Sequence, residues 1–324
     1  MKKILFRGAL LLALLLTAAL PSYAVNSQHL VPVGRAVGID VHTDGALVIG
    51  YSQTEEPSAA EQAGILTGDM ITAIDGKTIG SCADVQDALT RADGSPIPIE
   101  LVRGGSHVEL TVTPTKAESR YELGLWLRDG IAGIGTVTYY DPDTGEFGSL
   151  GHPITDLDTG VMVPISGGNV YASTITDVVA GQPGSPGQLV GDFEVETDIG
   201  SLRSNTDFGV FGVMDVPFDG QPVDLAEAEE VHTGPATILS NIAGSQVESY
   251  DVEISHIYSG IGGHGMMITV TDEDLLQTTG GIVQGMSGSP IVQDGKLVGA
   301  VTHVLVNDPA RGYGIFIESM LDAA

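Results

Sequence analysis

The stretch Gly281-Ile282-Val283-Gln284-Gly285-Met286-Ser287-Gly288-Ser289-Pro290 decides how the C-terminal half of the chain folds. An apolar run leads into a serine set between glycines. Ile291-Val292, a turn at Gly295 and Leu297-Val298-Gly299-Ala300-Val301 follow. Apolar segments separated by glycine turns predict paired strands. Glycines beside the serine let the backbone fold back, so that successive N–H groups share one small space. That space suits the negative oxygen formed when a nucleophile attacks a carbonyl. Ser287 is then the candidate nucleophile, and the N–H groups of Gly285 and Ser287 are the candidate oxyanion donors. The simpler alternative is an ordinary Gly-Ser-Gly turn between strands.

A serine hydroxyl needs a base, and the base needs a group that fixes its tautomer. His29, His42 and His107 lie far upstream, which leaves His152, His232, His256, His264 and His303. His152 is favoured because Phe147-Gly148-Ser149-Leu150-Gly151-His152 reads as a strand running into a Gly-His turn. For the acid, Thr271-Asp272-Glu273-Asp274 follows a strand and opens a short helix. Asp272 and Asp274 both qualify, and the same letters also describe a helix N-cap with acids in its first turn. No metal or cofactor is expected: the chain has no His-Glu-x-x-His helix, cysteine pair or phosphate-binding glycine loop. Asp156 and Asp158 beside His152 read as a polar turn.

Composition narrows the partners. The 324 residues carry 13 basic and 42 acidic side chains, a net charge of −29, which argues against nucleic acid and anionic lipid. Residues 1–24 read as a signal peptide or N-terminal anchor. Lys2, Lys3 and Arg7 precede the apolar run Ala9 to Leu20, and Ser22-Tyr23-Ala24 offers a cleavage site. Export is the expectation. Cys82 is the single cysteine, so no intramolecular disulfide forms; a packed hydrophobe is the favoured reading and a catalytic thiol the lesser one.

Residues 30–115 read as a first domain. Ser58-Ala59-Ala60, Ala63-Gly64-Ile65, Gly68-Asp69-Met70-Ile71 and Ile74-Asp75-Gly76 follow one another in an order that resembles a PDZ domain. The resemblance implies a groove for an extended peptide or C-terminus. Gly38 and Ile39 would meet the terminal carboxylate, and the helix around Asp84 to Leu89 would form the far wall. Residues 116–130 read as a junction, and 131–324 as a second, β-rich domain.

That second domain resembles the SpoIVB peptidase family. The resemblance rests on Gly133-Ile134-Gly135-Thr136-Val137, on Phe147 to His152, on Thr279 to Gln293 and on Gly312-Tyr313-Gly314-Ile315-Phe316. It implies a mainly β chain, with a PDZ domain followed by a chymotrypsin-like double barrel. Carried over residue by residue, it makes Ser287 the nucleophile, His152 the base and Asp272 the acid. It further implies a sporulation protease acting between forespore and mother-cell membranes. Such an enzyme cuts itself and the extracytoplasmic part of a membrane-bound regulator. Met286 occupies the place where digestive proteases carry an activating aspartate, so another switch is expected. The competing readings are a PDZ adaptor with an inactive protease-like domain and a general quality-control protease.

Overall fold

The computed structural model describes residues 29–53, 56–117, 120–258 and 265–324. The segment 1–24 and His264 lie outside them. Strands dominate, as the glycine-punctuated apolar runs predict.

The second half closes into a barrel of six antiparallel strands: Gly234–Ala243, Gln246–Ile257, Met266–Val270, Pro290–Gln293, Lys296–Leu305 and Asp308–Phe316. Its interior is aliphatic. Ile238, Ile254, Ile268, Met286, Ile291 and Val301 are all buried in one cluster. A first barrel is built from Ala36–Tyr51, Leu125–Tyr140, Glu146–Ser149, Gly167–Val179, Gln188–Thr206 and Gly209–Met214. It closes where Ala36–His42 pairs with both Thr136–Gly130 and Ala172–Gly167. Val37, Ile39, Val137, Phe147 and Val210 fill it. The architecture is the double barrel of chymotrypsin-like enzymes.

The PDZ unit is followed by the protease domain, as expected, but its bounds differ from 30–115. The first barrel also takes strand Ala36–His42 from ahead of it, so the unit sits between that barrel's first two strands. Strands Ala36–Tyr51 and Leu125–Tyr140 each run for sixteen residues. Their barrel halves pair from Ala36↔Thr136 to His42↔Gly130, and their outer halves pair from Leu47↔Arg128 to Tyr51↔Leu125. On that outer ribbon stand Met70–Ile74, Ile97–Arg103, Ser106–Val112 and the helices Ala59–Gln62 and Cys82–Thr90. Ile65, Ile71, Ile74, Val85, Ile99 and Leu101 form a separate core there. The expected junction 116–130 is therefore largely strand.

Gly38 and Ile39 are corrected with it. Both lie in a barrel strand paired on its two edges, with Gly38 opposite Ile134 and Tyr171. Their N–H groups belong to a ladder and are not available to a peptide carboxylate.

Candidate active site

Ser287 stands at a turn between the barrels, held from the first barrel by Thr136. The Thr136 N–H donates to the Ser287 carbonyl at 3.1 Å, and its hydroxyl donates to the Gly285 carbonyl at 2.7 Å. Gly288 (φ +97°) permits this approach, because a Cβ there would lie 2.0 Å from the Thr136 carbonyl oxygen. Among the described residues neither the Gly285 nor the Ser287 N–H donates to a backbone oxygen outside the ladders. They stay available, as oxyanion donors must. Ser289 is fully buried and bonds to the Ser240 hydroxyl at 3.2 Å, which excludes it as a nucleophile. Met286 is also fully buried, in the apolar core of the second barrel, where a lone carboxylate would be costly.

His152 follows strand Glu146–Ser149 and lines the same cleft as Ser287, a cavity of about 610 Å³. Its Nδ1 lies 2.8 Å from the Pro153 carbonyl oxygen. A carbonyl only accepts, so Nδ1 carries the proton and Nε2 is left as the basic nitrogen. Burial lowers the His152 pKa below the ordinary 6.5, and the Pro153 bond partly opposes that shift. Neutral imidazole is thus the resting form at pH 7. The Ser287 hydroxyl donates to the Thr302 carbonyl at 2.7 Å, so its proton does not point at the imidazole here. His303 also lines the cleft, its ring centroid 4.7 Å from that of His152.

The structure does not bring Asp272 to this site. It caps helix Glu273–Thr279, accepting from the Leu275 N–H at 2.9 Å and the Asp251 N–H at 3.3 Å. It is absent from the cleft lining. The orienting contact on His152 is a main-chain carbonyl. Asp274, in the first turn of that helix, is exposed.

Other residues hold the His152 loop, and sequence reading missed them. Asn205 accepts from the Ile154 N–H at 2.8 Å and donates to the Ile154 and Val163 carbonyls, both at 2.9 Å. Arg128 pairs with buried Asp156 and, at 2.9 Å, with Asp158. Asp156 Oδ1 also accepts from the Asp158 and Thr159 N–H groups. This is a polar turn, and among the described residues no His, Cys, Asp or Glu group is arranged to hold a metal. His232 pairs with Asp294 on the surface, and His256 meets Tyr258 edge to face.

A second concavity of about 390 Å³ opens on the PDZ unit. Val85, Gln86 and Leu89 of helix Cys82–Thr90 form one wall, as expected. The other wall is Leu123-Gly124-Leu125 and Leu127, not the N-terminal strand. Gly124 takes φ +71°, and among the described residues neither its N–H nor that of Leu123 donates to a backbone oxygen outside the ladders. Two adjacent N–H groups without such partners, one of them on a residue in the left-handed region, suit an anion. The strand edge from Leu125 to Ile134 that faces away from Ala36–Tyr51 pairs with no other strand among the described residues. Burial, helped by the Asp129 carboxylate, pushes the Cys82 thiol up to about 12, so it is no nucleophile.

The SpoIVB peptidase S55 profile matches residues 119–321, and a PDZ domain profile matches residues 51–103. Among curated proteins, a Rhizobium meliloti protein described as a zinc metalloprotease, R01501, is 39% identical over 79 residues, covering 24% of this chain and 21% of its own. Serine protease HTRA1 of Xenopus tropicalis is 32% identical over 77 residues, covering 24% and 16%. The chain thus spans about a fifth of the length of the curated relatives it matches. The structure of the Rv3671c protease in its inactive form aligns with 60% of this chain and 82% of its own, at 16% identity and a TM-score of 0.33. With a family profile covering well over half of its length, the chain belongs to the SpoIVB peptidase S55 family.

Proposed function

We propose that the protein is a serine endopeptidase in which Ser287 attacks a peptide carbonyl and His152 is the general base. The observation that carries this reading is the placing of Ser287 and a tautomer-fixed His152 in one cleft, beside two unused N–H groups. For turnover, Ser287 rotates about χ1 from the Thr302 carbonyl to His152 Nε2. The hydroxyl proton moves to Nε2 as the oxygen bonds to the substrate carbon, and the developing oxyanion is held by the Gly285 and Ser287 N–H groups. The imidazolium then protonates the leaving amine, and water hydrolyses the acyl-enzyme by the same route. Pro153 supplies the orienting acceptor where a carboxylate is customary.

Membership of the family supports a role in sporulation, in which an exported protein cuts itself and the extracytoplasmic part of a membrane-bound regulator. The PDZ groove would recruit that partner. The apolar run near the N-terminus supports export across the cytoplasmic membrane. A fluorophosphonate probe tests the chemistry: wild type is labelled and Ser287→Ala is not. Labelling that survives Ser287→Ala sinks the assignment.

A further inference from the structure

The PDZ groove and the catalytic cleft lie along one strand. Leu123-Gly124-Leu125 opens the groove at the start of Leu125–Tyr140, and Leu127 continues its wall. Ile131, Gly133 and Ile134 of the same strand then line the cleft, and Thr136 grips the Ser287 turn. On the opposite edge this strand pairs with Ala36–His42 and again with Leu47–Tyr51, the register slipping between Gly130 and Arg128 and near Val48. Among the described residues the edge facing groove and cleft pairs with no strand from Leu125 to Ile134. Arg128 ties the 155–159 turn down through its side chain, which stands off the sheet face rather than along the backbone edge.

Geometry fixes a direction. A peptide whose carboxylate rests on the Leu123 and Gly124 N–H groups has its C-terminus at the start of the strand. It must run antiparallel to Leu125–Tyr140, with its upstream residues heading for Ile134 and Ser287. From Leu125 to Ile134 is about ten residues, or roughly 33 Å at the rise of a strand.

We propose that groove and cleft form one binding track: the substrate is an extended polypeptide with a free C-terminus, anchored at Leu123-Gly124 and cut about ten residues upstream. This rests on the serine endopeptidase reading above. The departing fragment is then the short C-terminal piece, retained in the PDZ groove after cleavage.

The test uses the whole protein and a mixture of random-sequence peptides roughly thirty residues long, about three times the track length. Each peptide is prepared with a free or an amidated C-terminus, and cut positions are mapped by mass spectrometry. We expect cuts from the free-acid set to cluster about ten residues from the C-terminus, and amidation to abolish the cluster and slow cleavage at least about tenfold. Cuts scattered without regard to the C-terminus, at equal rates in both sets, overturn the shared track while leaving the protease reading intact. No cutting, together with no fluorophosphonate labelling of Ser287, overturns the catalytic reading and the track with it.

Discussion

In the proposed mechanism His152 decides whether Ser287 can react, and its protonation is set by burial and a backbone bond that pull in opposite directions. Burial disfavours the imidazolium, and the Pro153 carbonyl favours it less strongly, so the folded pKa lies below 6.5. The base works only when neutral. The labelling rate of Ser287 should therefore rise with pH through a midpoint below 6.5 and be flat by pH 7.5. A midpoint above 6.5 would mean that a carboxylate faces the ring. The same shift makes the unfolded chain bind the proton more readily. Its contribution to stability is present above about 6.5 and is lost as pH falls through the folded value. Ser287 and His152 were legible in the sequence because glycines mark turns that expose a side chain. The Pro153 carbonyl was not, since a backbone acceptor leaves no mark of its own in the residue letters.

At the scale of single elements, helix Glu273–Thr279 shows why Asp272 was misread. An acid after a strand and before an apolar helical turn is spelled the same way whether it orients a histidine or caps a helix. The two roles separate by substitution. Asn is as good a cap as Asp, so Asp272→Asn should leave stability within a few tenths of a kcal/mol, whereas Asp272→Ala should cost about 1 kcal/mol in a urea titration. If Asp272 instead orients His152, Asp272→Asn would slow Ser287 labelling by about 10⁴-fold with the fold intact. The PDZ groove was half legible. Its helix followed from the Ser81 cap and the spacing of Val85 and Leu89, but its strand was sought at Gly38-Ile39. The peptide-facing edge instead lies at the end of the unit, at Leu123 to Leu127, inside what composition presents as a linker. Periodicity reports that a segment is a strand and says nothing of which neighbour it takes.

For the whole molecule, a mainly β chain was foreseeable from apolar runs and glycine turns and the double barrel from the family resemblance, but the domain boundary was not. Strand Ala36–His42 lies nearly ninety residues from its partner Gly130–Thr136, and no local signal reaches that far. A fragment limited to residues 119–321 would lack that strand. It would leave Gly130–Thr136 and Gly167–Ala172 each with an unpaired edge, a template for aggregation. We expect such a fragment to elute as aggregates on gel filtration and to resist fluorophosphonate labelling. A monodisperse, labelled fragment would show that the first barrel closes without residues 36–42.

The paired strands Ala36–Tyr51 and Leu125–Tyr140 also bear on how the chain folds. For a free chain, closing a loop of that length before any barrel contact forms carries a substantial entropic penalty, and contacts so distant in sequence form slowly. Once the PDZ core of Ile71, Ile74, Ile99 and Leu101 has condensed, Leu47 to Tyr51 already lies against Arg128 to Leu125. The remaining barrel segments then meet as a hairpin zips from its closed end. If folding follows this order, the inserted unit is the nucleus for the enzyme around it. Ile99→Val in its core is then expected to slow refolding of the barrels in stopped-flow measurements, whereas an unchanged refolding rate would rule the order out.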